Sequence, residues 1–289
     1  MKVHPDCIPC LMKRVVFQSR LLENGREFES ATAALKAYGD NISRDSNSAK
    51  LATVVHEASY AALGVKDPYS KLKVEADDVA ERYMGRSKEF VEGSADRFRA
   101  AVKVSIMGNI MDFGSGIAID DPEEFSRLFE VLLGQDIGCD DTDDLKDIVE
   151  KGRTVIYIFD NCGESQFDKL LIREIRGLGK RVIGVVRGEP ILNDVTLEDA
   201  IRIGLDKELD VLLTTNAFAI GIDMEKVGKD LRTEMREASV VIAKGMANYE
   251  SLSDEILDIP VFYLLKAKCM PVATSLGVGL GTNVVRRAR

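Results

Sequence analysis

From about residue 136 the chain alternates between short β-branched apolar runs and helix-like segments, and this alternation limits the fold more than any other feature. Runs at 155–159, 182–186, 211–215, 240–243 and 261–265 have the length and composition of strands. Helical patterns at 165–178, 196–203 and 224–237 separate most of them. Thr196 and Asp199 resemble a capping box at the start of the second of these. Such a rhythm predicts a doubly wound, mainly parallel sheet with helices on both faces, an α/β/α sandwich. The run from Thr154 to Phe159 is apolar almost throughout, which suits a strand covered on both sides.

The first part of the chain has a different pattern. Helices are expected at 11–22, 30–38, 48–63 and 70–83, at 89–111 with a break near Gly93, and at 125–133. Leu51, Val54, Val55, Ala58, Ala61 and Ala62 fall on one helical face, and Gly64 suits the position just beyond that helix. Gly114, Ser115 and Gly116 punctuate the chain, after which Asp121, Pro122, Glu123 and Glu124 read as N-cap, first helical residue and acidic first turn. The expected organisation is a mainly helical domain at 1–135 and an α/β/α domain at 136–289.

At 289 residues there is enough chain for a sizeable core. The net charge of −9 argues against non-specific binding to nucleic acid or to an anionic membrane. No apolar run approaches the roughly 18 residues of a membrane span, and MKVHPDCIPC lacks the apolar segment of a signal peptide. With 5 cysteines, an odd number, a disulfide framework is not expected, and a cytoplasmic location is.

Chemistry-bearing residues cluster where the strands should end. Asp160 and Asn161 directly follow the apolar run, and Asp194 lies beyond the next strand and before a helix. Ligands of open α/β sheets sit outside the carboxyl ends of the strands. Two carboxylates and an amide oxygen there can supply half the shell of Mg²⁺ or Mn²⁺. The same spacing also suits two helix caps and a turn residue. Glu164 can serve the dipole of the following helix or act as a general base. Lys244, with Asn248, follows the strand at 240–243, and Lys268 follows the last run. Both lysines can offset phosphate charge or lie exposed on the surface. Cys7 and Cys10 form a CxxC with no second pair to complete a zinc site, so packing or a plain thiol pair is expected, with a metal or redox role as the alternative. Gly277, Gly279 and Gly281 do not make a dinucleotide fingerprint. Arg286, Arg287 and Arg289 read as a solvated tail.

FDNCGE (159–164), RGEPILNDVT (187–196), AKGMANYESL (243–252) and KAKCMPVA (266–273) together resemble the damage-control metal phosphatases, a former domain-of-unknown-function family. GNIMDFG (108–114) and CIPC (7–10) resemble its compact archaeal-type branch. The resemblance spans nearly the whole chain. It implies a helical region on an α/β/α sandwich and a divalent cation (Mn²⁺, Mg²⁺, Ni²⁺ or Co²⁺) held by Asp160, Asn161 and Asp194. It further implies hydrolysis of phosphate monoesters, sugar phosphates or damaged phosphometabolites, with Asn109 and Asp112 lining the site beside Asn248 and Lys268. In this reading Asp160, Glu164 and Lys244 carry catalysis. The nucleophile is water or Asp160 itself, and the pairing of Asp160 with Asn161 favours water. Where family members often read KGQGNFE, this chain has KGMANYE, which leaves Lys244 and Asn248 in place but changes the middle of the loop. An S-adenosylmethionine-dependent carboxyl methyltransferase and a non-enzymatic metal or phosphometabolite binder are the alternatives. The expected partner is a small phosphorylated metabolite, and association into homodimers is left open.

Overall fold

Every residue of Thr154–Ile158 is buried, and this strand lies inside a seven-stranded sheet. The computed structural model describes residues 1–112 and 121–288. Its first helices are α1 (Cys7–Arg20), α2 (Glu27–Asn41), α3 (Ser48–Leu63), α4 (Ser70–Glu92), α5 (Arg97–Met107) and α6 (Pro122–Leu133). Then follow β1 (Ile137–Asp140), α7 (Thr142–Lys151), β2 (Thr154–Ile158), α8 (Glu164–Gly177), β3 (Arg181–Val186), α9 (Leu197–Arg202), β4 (Val211–Thr214), α10 (Lys229–Glu237), β5 (Val240–Lys244), α11 (Gly245–Leu252), β6 (Val261–Lys266), α12 (Met270–Leu276) and β7 (Asn283–Arg287).

The strand order is β1-β7-β6-β5-β2-β3-β4, parallel except for the β6–β7 pair. The chain moves from β2 outward through β3 to β4, then returns to β5 on the other side of β2. The reversal leaves a crevice at the carboxyl ends of β2 and β5, where α/β folds take their ligands. Alternation along β2 divides the core. Val155, Tyr157 and Phe159 pack with residues of α4, α5, α6 and α8, whereas Ile156 and Ile158 pack with residues of α10, α11 and α12.

Local chemistry explains several boundaries. Asn47 accepts hydrogen bonds from the Ala49 and Lys50 amides at the start of α3, and Gly64 ends it in the left-handed region. Asp121 accepts from the Glu123 amide at 2.8 Å. Thr196 and Asp199 form the expected capping box.

Other boundaries differ from the sequence expectation. Helix α4 continues through 84–92, across Gly85, because Val79, Ala80, Ser87 and Val91 keep one buried face. The break comes at Gly93, and Asp96 restarts the chain by capping Arg99 at 3.1 Å. Helix α10 begins only at Lys229. Strand β1, helix α7 and strand β7 were not expected. Arg286 and Arg287, read as part of a basic tail, instead belong to β7, which lies between β1 and β6 with Val284 and Val285 fully buried. Arg287 donates to Asp144 at 2.9 Å. Gly114–Gly116 and Arg289 lie outside the described residues. Among the described residues no helix is long and apolar enough to cross a membrane.

Candidate active site

The polypeptide beyond β3 folds back along the turn beyond β2. The Val195 amide donates to the Asp160 carbonyl at 2.9 Å and the Cys162 amide to the Asn193 carbonyl at 2.8 Å. Asn161 and Asp194 form an isolated antiparallel bridge. Backbone pairing therefore brings Asp194 beside Asp160 and Asn161, although more than thirty positions separate them. Gly163 takes φ +78° at the tight exit, and its amide donates to Asp77 at 2.6 Å.

A fully buried guanidinium ties the two carboxylates together. Arg187 donates through Nε to Asp194 Oδ2 at 2.6 Å and through Nη2 to Asp160 Oδ1 at 3.4 Å, and its Nη1 has no partner. Asp160 Oδ2 accepts from Asn161 Nδ2 at 3.0 Å. Burial, and then the charges of Asp194 and Glu164, raise the Asp160 carboxyl well above its usual range. Burial also raises Asp194, against the pull of Arg187. This is a carboxylate pair with too little counter-charge.

Among the described residues no three His, Cys, Asp or Glu side chains cluster in a metal-holding arrangement. A cation here would depend on an amide oxygen as its third donor. No hydrogen bond among the described residues engages Asn161 Oδ1 or Asp194 Oδ1, and both residues line the same cavity as Asp160. Hard oxygen donors with negative charge left uncompensated fit a divalent cation.

Behind this layer lies a second buried cluster. Glu164, at the first residue of α8, accepts from Lys244 Nζ at 2.6 Å, Asn109 Nδ2 at 2.8 Å and Asn161 Nδ2 at 3.2 Å. Lys244 Nζ also donates to Asp168 at 2.8 Å and to the Ser105 carbonyl at 2.9 Å. Lys244 was expected to face a phosphate. It is instead fully buried against α5 and α8 and is absent from the cavity wall. Burial opposes its charge, but Asp168 and Glu164 outweigh that and raise its pKa. Asn248 likewise turns inward, donating to the Phe159 and Lys244 carbonyls at 3.1 and 2.7 Å. Asn109 joins the cluster, accepting from the Lys266 amide at 3.1 Å. Glu164, Lys244, Asn109 and Asn248 thus brace the turn that carries Asp160 and Asn161.

Gly245, at φ +72°, closes the far side of Asp160, because a Cβ there would lie 1.7 Å from Asp160 Oδ2. Replacing it with alanine must push the carboxylate aside. A displacement of about 1 Å costs on the order of 10²-fold in rate. G245A is therefore expected to lose about that much kcat in a phosphatase assay, with a melting curve recorded alongside. Unchanged kcat would show that the position of Asp160 is not set here.

The cavity in front of the carboxylates measures about 340 Å³. Asp112 and Lys268 lie on its wall, joined at 2.7 Å, and Lys268 also donates to the Asn109 carbonyl at 2.8 Å. Arg14 of α1, which sequence reasoning missed, donates to Asp112 at 2.9 Å. Burial alone would raise Asp112, but Arg14 and Lys268 hold it below its usual value. Glu250 also faces the cavity, raised by burial to about 7. Cys7, Cys10 and Cys269 contribute to the wall as free thiols. Burial raises all three, Cys269 to about 12, which makes them poor nucleophiles at neutral pH.

Residues 3–284 match the family model described as the damage-control phosphatase ARMT1-like domain. The chain belongs to that family. It is 40% identical to a damage-control phosphatase of Archaeoglobus fulgidus, over 99% of each chain. It is 31% identical to a damage-control phosphatase of Pyrococcus horikoshii, over 99% of this chain and 98% of that one. The crystal structure of a DUF89 family protein from Pyrococcus horikoshii superposes with a TM-score of 0.89 at 29% identity, over the whole of both chains. The described residues of the blocks that suggested the family contribute to this cavity and its bracing layer. Arg14, Arg187, Asp168, Asp77 and Glu250 carried no signal that separated them from ordinary surface charges.

Proposed function

We propose that this protein is a metal-dependent phosphatase that hydrolyses phosphate monoesters of small metabolites, in a metabolite-repair role. The observation that carries the reading is the pairing of Asn161 with Asp194, which turns hard oxygen donors toward one cavity that also holds Lys268 and Arg14. Membership of a family whose relatives are named damage-control phosphatases supports the same chemistry.

In this mechanism Asp160, Asn161 and Asp194 would hold a divalent cation, with Mg²⁺, Mn²⁺, Co²⁺ and Ni²⁺ as candidates. When bound, the cation supplies Lewis-acid stabilisation to the phosphoryl oxygens and makes water more acidic. Arg187 fixes the two aspartates from behind. Lys268, whose charge reaches Asp160, orients and neutralises the phosphoryl group with Arg14. A water oxygen forms the new bond to phosphorus while the ester oxygen leaves as the alcohol. Water is the better nucleophile than Asp160, because Arg187, Asn161 and the Gly245 backbone box that carboxylate in. Glu164, Lys244, Asn109 and Asn248 act as positioning residues.

Metal removal tests the reading. Stripping the protein with a chelator should abolish turnover of a generic phosphate ester, and adding back Mn²⁺, Mg²⁺, Co²⁺ or Ni²⁺ should restore it. The same ions should raise the melting temperature of the wild type and not that of D194N. Full activity in chelator would overturn the metal-dependent mechanism.

A further inference from the structure

Helix α4 packs directly against the turn that carries Asp160 and Asn161. A Cβ on Gly163 would lie 3.1 Å from the Ala76 carbonyl, and the Gly163 amide donates to Asp77 Oδ1 at 2.6 Å. The other oxygen of Asp77 accepts from Arg202 Nη1 at 2.7 Å, and Arg202 Nη2 donates to Asp199 at 2.6 Å. Asp199 in turn accepts from the amide and the hydroxyl of Thr196, just beyond Asp194, at 3.1 and 2.7 Å. Lys73 lies one helical turn before Asp77 on the same side of α4. It donates to the same Asp199 at 3.1 Å and to Asp67 at 3.1 Å.

One face of α4 therefore holds both strand-end loops. Asp77 takes the turn beyond β2 directly, Lys73 takes the loop beyond β3 through Asp199, and Arg202 joins the two. Lys73 and Asp77 are buried, and none of Lys73, Asp77, Asp199 and Arg202 lines the cavity. Any influence they have on the site must pass through the loops. The backbone pairing of Asn161 with Asp194 decides which residues face each other. It leaves open how the paired loops are set against the rest of the fold. Charge-assisted hydrogen bonds to a helix in the core supply that constraint.

We propose that α4 is the positioning element of the candidate metal site, with Asp77 and Lys73 locking the loops of Asp160–Asn161 and Asp194 into one arrangement. This rests on the reading above that those three residues take a divalent cation, and it adds the residues that keep them in place. Outer partners of this kind change metal affinity or activity by about 10–100-fold when they are removed.

The test is D77A, as full-length protein stripped with a chelator and titrated with Mn²⁺ by calorimetry. Its Mn²⁺ affinity should fall by at least about tenfold. V149A opens a cavity under α7, which takes no part in these contacts, so it should lose stability and keep wild-type affinity. That control separates positioning from a general loss of stability. Hydrogen exchange gives a second readout that needs no metal. The Cys162 and Val195 amides bond across the two loops to the Asn193 and Asp160 carbonyls, and both should exchange at least about tenfold faster in metal-free D77A. Wild-type affinity in a folded D77A would overturn the proposal and leave the metal reading standing. If the wild type itself binds none of Mn²⁺, Mg²⁺, Co²⁺ and Ni²⁺, the metal reading fails and exchange alone decides the positioning: faster exchange of both amides supports it, and unchanged exchange refutes it. If D77A does not fold, R202M cuts the same chain of contacts at a partly exposed side chain. It should lose Mn²⁺ affinity by about tenfold, and wild-type affinity there would refute the proposal.

Discussion

Replacing Asp160 with asparagine is expected to lower kcat by about 10²–10³-fold while leaving the fold intact. Asparagine has nearly the same shape, and its one oxygen keeps the contact to either Arg187 or Asn161, so the change removes the charge and one of the two accepted hydrogen bonds. That charge is poorly accommodated in the protein alone, because burial, Asp194 and Glu164 all disfavour it. D160N should therefore melt at or above the wild-type temperature in chelator. It should also lose the stabilisation that Mn²⁺ gives the wild type, since an ion that binds only the native state stabilises in proportion to its affinity. Loss of activity together with unfolding would mean that Asp160 is structural. Wild-type turnover in a folded D160N would remove the carboxylate from the mechanism altogether.

Lys244→Met should produce the largest loss of stability, about 3–5 kcal/mol, because it strands two carboxylates inside the protein. Glu164 and Asp168 are both fully buried, and Lys244 is the ammonium shared between them at 2.6 and 2.8 Å. Methionine fills the volume but supplies no charge. Burial already raises the Asp168 pKa in the wild type. In the variant, protonating Asp168 relieves the unpaired charge, so the stability lost should be largest above neutral pH and shrink toward about pH 4. Urea unfolding at several pH values measures this. A change below about 1 kcal/mol at pH 8 would show that Lys244 is a bystander. Activity should fall with stability, because Glu164 loses the partner that holds it against Asn161. Saturating metal should not restore it.

Much of the frame was legible in the sequence for simple reasons. A central parallel strand must be apolar on both faces, so 154–159 showed itself as a continuous run. Asp121 and Thr196 were set at helix starts by hydrogen bonds that span only two or three residues, and Gly64 was set at a helix end by backbone conformation. Asp160, Asn161 and Asp194 stood out because strands here end abruptly in polar residues, and the sheet fixes where strand ends lie. The β1–β7 side of the sheet was not legible. Strand β1 has four residues with alternate ones exposed, and β7 carries two arginines, so neither has the apolar signature of a buried strand.

The roles of the cations could not be read in the same way. Lys244 and Lys268 both follow strands and look alike in sequence. One turns back into the core to neutralise Glu164 and Asp168, and the other lies on the cavity wall beside Asp112. Arg187 and Arg14 had no distinguishing pattern, yet one clamps the two aspartates and the other reaches Asp112 from a helix nearly a hundred positions away. Residue order determined which elements form, because backbone propensity, capping and apolar periodicity act over a few residues. The direction in which each charge points was decided by tertiary packing, because a buried ammonium or guanidinium must find its carboxylates wherever the fold has placed them.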